Sequence, residues 1–222
     1  MRKFIDLHLH LDGSVPVATV KKLMKEHNMP ALSDEELRQE LSVDSSCKSL
    51  DQFLEKFALP NKLMQTRHDL ETIVYDLLVE LKQQGLVYAE IRFAPQLHTK
   101  KGLTQEDAIE AVISGLNKFL ADQKKQKTLP ELHAGLILCL MRFADNQKQN
   151  METVKLAKKF LGKGVVGLDL AGAEGPIPNI KYKSFFDQAK KLGVPYTIHA
   201  GEADGPDSIR QALAMGAKRI GH

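Results

Sequence analysis

Apolar and polar positions along the chain alternate between two periods. Short apolar runs of strand length recur at 4–9, 87–94, 131–141, 165–171, 194–199 and 218–221. Between them the apolar positions repeat at helical spacing, every three to four residues. Pro16 opens the first helical stretch, which runs to about residue 27 and is stopped by Met29-Pro30. Ser33 to Glu36 has the pattern of a capping box for a short helix through Leu41. Ser49 to Gln52 has the same pattern and opens a helix with Leu50, Phe53, Leu54 and Phe57 on one stripe. One long amphipathic helix is expected over 61–84, closed by Gly85. From there the rhythm is regular. Helices are expected over 104–122 (capped by Thr104), 146–161, 181–192 (closed by Gly193) and 207–215 (closed by Gly216). The basic stretch 124–127 reads as a solvated connection.

Strands alternating with helices of these lengths indicate parallel β/α units. Two architectures accommodate them, an open doubly wound sheet and a (β/α)₈ barrel of the TIM type. The phosphate-loop fingerprints of many doubly wound folds, G-x-G-x-x-G and G-x-x-x-x-G-K-[ST], are absent. The expected architecture is therefore a (β/α)₈ barrel, represented by about six of its eight units, with a helical insertion between strands one and two. The whole of 1–222 reads as one domain.

Composition changes this picture little. Hydrophobic residues are 43% and charged residues 27% of the 222, the balance of a globular protein with one substantial core. A net charge of +3 gives no electrostatic case for nucleic acid. No apolar run has membrane-spanning length, and Asp6 and two histidines interrupt any signal-peptide core. Cys47 and Cys139 are far apart and form no CxxC pair, so a reducing, cytoplasmic setting is expected. Nothing sets an oligomeric state.

The candidate chemistry lies at the strand ends. His8 and His10 are two apart on strand one, so their side chains share a face. His199 ends strand five and His222 ends strand six. In a barrel all strand C-termini look onto one site, which brings these histidines together. His8, His10 and His199 make a three-nitrogen set suited to zinc with open coordination positions. Zinc lowers the pKa of a bound water into the neutral range. Glu202, just past His199, is placed to exchange a proton with a molecule held there, and His222 to act as base or electrostatic partner. His27, His68, His98 and His133 lack such placement and read as structural or exposed.

The motifs HLHLDG (8–13), SLDQFLEKF (49–57), VYAEIRFAP (87–95), GLDLAGAE (167–174), HAGEADGPDSI (199–209) and RIGH (219–222) together resemble the adenosine deaminase family of the amidohydrolase superfamily. They span the chain in the family's order. HxHxDG alone occurs in many zinc hydrolases; its combination with DLAG and HAGE is far more specific. The resemblance implies one zinc ion per chain, held by His8, His10 and His199. It implies that Glu202 protonates purine N1 as hydroxide attacks C6, and that His222 positions the attacking water. His10 and Asp12 are expected at the substrate, Asp12 on the ribose 5′-hydroxyl, and the Gly172 backbone at purine N3. Leu50, Phe53, Leu54 and Phe57 match the apolar helix that covers the nucleoside. Read from spacing alone, that stripe is first a packing face, while Gly172 is equally a turn glycine and Asp12 an Asx-turn residue.

The implied activity is hydrolytic deamination of adenosine or 2′-deoxyadenosine, with a small purine nucleoside as partner and neither nucleic acid nor membrane. Adenine, AMP-like nucleotides and modified adenosines are alternatives within the family. Asp12 favours a neutral 5′-hydroxyl over a phosphate. The zinc cytidine-type deaminases are excluded, since neither H-x-E nor P-C-x-x-C is present. An amidohydrolase acting on cyclic amides would carry a bridging lysine, and strand four ends in Leu170-Ala171-Gly172 instead. The family's last two strands and its pair of adjacent aspartates, one of them a zinc ligand, have no counterpart among these residues. The expectation is that strands one and six expose their edges, and that this chain alone has little or no activity. A zinc-binding, non-catalytic fragment is the competing reading.

Overall fold

The computed structural model describes residues 3–125 and 130–222. The first strand, β1 (Phe4–His10), leads into five helices: α1 (Val17–Glu26), α2 (Asp34–Leu41), α3 (Leu50–Glu55), α4 (Ala58–Leu63) and α5 (Arg67–Gln83). Four β/α steps and a sixth strand follow. They comprise β2 (Leu86–Phe93), α6 (Gln105–Gln123), β3 (His133–Met141), α7 (Gln147–Phe160), β4 (Val165–Ala171), α8 (Lys183–Lys191), β5 (Ile198–His199), α9 (Pro206–Ala214) and β6 (Ile220–Gly221). All strand pairs are parallel, in the order β1-β2-β3-β4 and β5-β6. A bridge between Leu168 and Tyr196 carries β4 on to β5. This is six consecutive units of a (β/α) barrel with the expected helical insertion after the first strand. Among the described residues β1 pairs only with β2 and β6 only with β5, so both outer edges are open. Phe4, Ile5 and Leu7 are exposed on the first of them.

Most expected boundaries hold to within a residue or two, and the departures have local causes. The single helix expected over 61–84 is two helices. Met64 leaves helical geometry at ψ 55°, and Thr66 starts afresh as an N-cap with a reciprocal box to Asp69. The Ser33–Glu36 and Thr104–Asp107 boxes form as well. At Ser49 only half the box forms. Its hydroxyl accepts from the Gln52 N–H, while the Gln52 side chain turns to the Lys48 N–H at 2.9 Å. The helix there ends at Glu55, and Phe57 caps α4 instead. The helix expected from 181 begins as a 3₁₀ turn, Asn179–Tyr182. The strand expected over 194–199 forms a ladder only at Ile198–His199, because Pro195 has no N–H to give and contributes its carbonyl to Leu168 N–H. In the basic connection, Lys124 and Lys125 are exposed, and 126–127 lie outside the described residues.

The core is continuous from the helical insertion through the sheet to the outer helices. Leu63, Met64, Leu70 and Leu78 join Ile91, Leu138, Leu168 and Phe186, all essentially inaccessible. The insertion therefore folds as part of the barrel and fixes what lies over the C-terminal end of β1. Helices α5 and α6 cross at Gly115, where an added Cβ would stand 2.5 Å from the Glu71 carbonyl oxygen. Alanine is worth up to about 1 kcal/mol over glycine in a helix, but backbone oxygen cannot yield as a flexible side chain does. Gly115→Ala should therefore destabilise the chain, by about 1–3 kcal/mol, measured as a lowered urea midpoint at unchanged m-value.

Candidate metal and substrate site

Strand pairing carries the four strand-end histidines to one place. His8 and His10 project from the same face of β1, His199 ends β5, and His222 follows β6. The His199 Nε2 is 3.0 Å from His8 Nε2 and 3.2 Å from His10 Nε2. Metal–nitrogen bonds of about 2.0–2.1 Å in tetrahedral geometry separate ligand nitrogens by about 3.3 Å, so the spacing is that of a shared cation. Among the described residues this trio is the group of histidine, cysteine and acidic side chains close enough to hold one. Burial, then the Arg92 charge, lowers the His8 pKa to about 3. Burial, then His199, lowers that of His10 to about 3. Both rings are thus neutral at pH 7, the form in which imidazole donates a lone pair.

A buried acid sets the third ring. Asp169, on β4, lies 2.7 Å by its Oδ2 from His199 Nδ1. The contact is bent rather than straight along the ring N–H, and Nδ1 has no other hydrogen-bond partner among the described residues. It assigns the proton to Nδ1 and leaves the Nε2 lone pair facing His8 and His10. Asp169 is itself held by Arg92 from β2 and by the Leu170 N–H at 2.8 Å. Arg92 donates further to the Leu7 carbonyl, at 2.6 Å, which ties in β1. Burial alone would raise the Asp169 pKa; His199 and Arg92 override it and hold the carboxyl below the usual range.

The histidines form the floor of a cavity of about 550 Å³. Glu202 and His222 share one wall, 3.6 Å apart from Oε1 to Nε2. Gly172 also lines the cavity, at φ 96°, a conformation suited to glycine, and its carbonyl accepts from Arg142 Nη1 at 3.0 Å. Leu50, Phe53, Leu54 and Phe57 form the apolar cover, although a loop residue supplies the last of them. Asp12 sits beneath them, accepting from Asn61 Nδ2 at 3.2 Å. Burial pushes the Asp12 carboxyl up to about 6. One oxygen of Asp12 and the amide oxygen of Asn61 remain buried without a hydrogen-bond partner.

Every site residue expected from sequence thus lines one cavity. The other histidines stand apart. His27 pairs with Asp69 and His68 with Glu26, while His133 is exposed beside Glu131. His98 is fully buried, and burial lowers its pKa to about 4. Four residues that shape the site carried no role in the sequence reading: Arg92, Asp169, Arg142 and Asn61. The first two had a visible signal, since a charge inside a buried strand such as AEIRFA or GLDLA needs a partner.

The same region aligns with known proteins. A family model described as adenosine deaminase matches residues 4–222. An adenosine deaminase of Haemophilus ducreyi is 50% identical over 223 residues, taking in 98% of this chain and 63% of the relative. One from Clostridium botulinum is 41% identical over 221 residues, with 98% and 64% covered. The chain spans 63–64% of the length of these curated relatives. Among solved structures, Arabidopsis ADAL complexed with IMP superposes with a TM-score of 0.81 at 27% identity, over 98% of this chain and 64% of that one.

The buried Arg92–Asp169 pair is a point at which the site is sensitive to substitution. Arg92→Met leaves a buried carboxylate without its cation and the Leu7 carbonyl without its donor. It should cost about 3–5 kcal/mol, read as loss of unfolding free energy in urea.

Proposed function

The chain belongs to the adenosine deaminase family, and from that premise we propose that it carries the catalytic centre of a hydrolase converting adenosine or 2′-deoxyadenosine and water to inosine or 2′-deoxyinosine and ammonia. One observation carries the reading: the Nε2 atoms of His8 and His10 stand 3.0 and 3.2 Å from that of His199, and the three rings open onto the cavity that Glu202 and Gly172 line. The neutral state of His8 and His10 and the Nδ1 contact of His199 fit a zinc ion, one per chain, held by these three residues. Zinc bound there would bring a water near neutral pH into its hydroxide form.

The chain's own groups account for the rest. Hydrolysis at C6 interrupts the ring conjugation and places an electron pair on N1, so an acid must stand there; Glu202 delivers that proton. His222, beside Glu202, orients the attacking water. The Gly172 backbone meets purine N3. The Leu50, Phe53, Leu54 and Phe57 cover excludes bulk solvent, which strengthens each polar contact beneath it. Asp12 and Asn61 present unmatched acceptor oxygens, which a ribose hydroxyl can satisfy by donating.

The same feature favours a nucleoside over a nucleotide. ADAL was crystallised with IMP, whose phosphate requires cationic partners. Among the described residues that line the cavity, Arg142 is the one lysine or arginine, and its guanidinium donates to Gly172, Asn179 and His199. A phosphate at Asp12 would face a carboxylate and the unmatched amide oxygen of Asn61.

Two measurements test this. After dialysis against zinc and then metal-free buffer, the chain should retain about one zinc, and His199→Ala should retain almost none; equal content in the two would overturn the metal assignment. Ammonia release from adenosine should fall by about 10²–10⁴ in Glu202→Gln. Turnover unaffected by that change, or absent in the parent chain, would count against the catalytic reading, the latter in favour of a zinc-binding fragment.

A further inference from the structure

One buried carboxylate near the cavity has no part in the chemistry above. Glu174 follows β4 by three residues and is 1% exposed. Its Oε1 accepts from the Gly201 N–H at 2.6 Å and from the Ser208 hydroxyl. Its Oε2 accepts from the N–H groups of Ala203 at 2.7 Å and Asp204 at 3.1 Å. Three of these donors belong to the segment between β5 and α9, and the fourth to the first turn of α9. They bracket Glu202 on both sides and leave its side chain to the cavity wall. Gly201 turns at φ 85°, and a Cβ there would lie 2.6 Å from Ile209 Cδ1. The loop is therefore tightly wound, and its converging amides form a nest that an anion fills.

We infer that Glu174 is a positioning residue: it fixes the 201–204 loop, and through it the place of Glu202, without touching the substrate. The part concerning Glu202 rests on the deaminase reading; the part concerning the loop does not. The chemistry of the donors specifies the residue. All four are N–H or O–H groups, so the group they meet has to accept only, which a carboxylate does and an amide does not. The titration agrees in direction. Burial alone would raise the Glu174 pKa, but the loop N–H groups and Ser208 hold it below the ordinary range. Gln in its place sets an NH₂ against at least one of these donors. Asp falls one methylene short of them. On the neighbouring side Arg142 grips the His199 carbonyl at 2.7 Å and the Asn179 side chain at 2.6 Å, so the start of the loop is clamped as well.

The test is residue-resolved amide exchange on the intact chain, comparing Glu174→Gln with the parent. Exchange at Gly201, Ala203 and Asp204 should accelerate by at least about tenfold, with the amides of β2 unchanged. Ser208→Ala, which removes one bond of four, should move the same amides in the same direction by less, and it serves if Glu174→Gln does not fold. On adenosine, kcat of Glu174→Gln should fall by up to about 10²-fold while KM stays within about threefold of the parent. Loop exchange that is unchanged, or raised equally throughout the chain, would overturn the inference, and so would a raised KM at constant kcat. A parent chain that releases no ammonia would end the reading of these residues alone as an active deaminase, and the exchange comparison would still decide whether Glu174 anchors the loop.

Discussion

The site depends on a charge pair in a place where charges are costly. Arg92 and Asp169 are both essentially inaccessible, and removing two ions from water has to be compensated by close geometry and by use of their remaining donors and acceptors. Here the compensation comes from four strands. Arg92, on β2, reaches the Leu7 carbonyl of β1 and the Asp169 carboxylate of β4, and that carboxylate touches His199 of β5. The pair therefore does two things with one set of contacts. It ties strands together across the barrel interior, and it turns the His199 ring so that its free nitrogen meets His8 and His10.

Desolvation, unfavourable for that pair taken alone, is what makes the surrounding groups fit for use. His8 and His10 stay unprotonated because burial disfavours their charged form, and so their lone pairs are available. Asp12 is pushed the other way by the same burial. The burial originates in the insertion between β1 and β2, whose short helices α3 and α4 lay Phe53 and Phe57 over the end of the first strand. Phe57 comes within van der Waals reach of the position a Cβ on Gly13 would take, so the turn leaving β1 and its cover are fitted to each other. Packing, protonation and the shape of the cavity are consequences of one arrangement.

The parts legible in the sequence were those set by local periodicity or by a short motif. Six strands, the helix closures at Gly85, Gly193 and Gly216, and the gathering of His8, His10, His199 and His222 all follow from spacing along the chain. What escaped needs pairing information. The break at 64–66 was hidden because apolar spacing runs through it, and only the Thr66–Asp69 reciprocity marks the restart. The half-formed box at Ser49 shows the converse, a motif whose Gln52 side chain accepts from a different donor, the Lys48 N–H. Arg92 and Asp169 lie 77 residues apart, and either alone is merely a charge in a strand. Asn61 is legible only when α4 is set against Asp12.

The network behind the cavity alternates in sign. Arg92 and Asp169 stand beneath the histidines, and Arg142 and Glu174 stand behind the loop that carries Glu202. Neither pair is solvent-facing, and each spends its hydrogen bonds on backbone as well as on side chains. This division follows from how a parallel barrel is made. Its strands fix Cα positions well, but a ring or a loop beyond the last ladder bond is free to turn. The final orientation has to come from side chains reaching in from neighbouring strands, and ions serve best because a charged hydrogen bond is short and directional. Strand ends supply the reacting groups in such a fold, and buried charges one layer further in determine where those groups point.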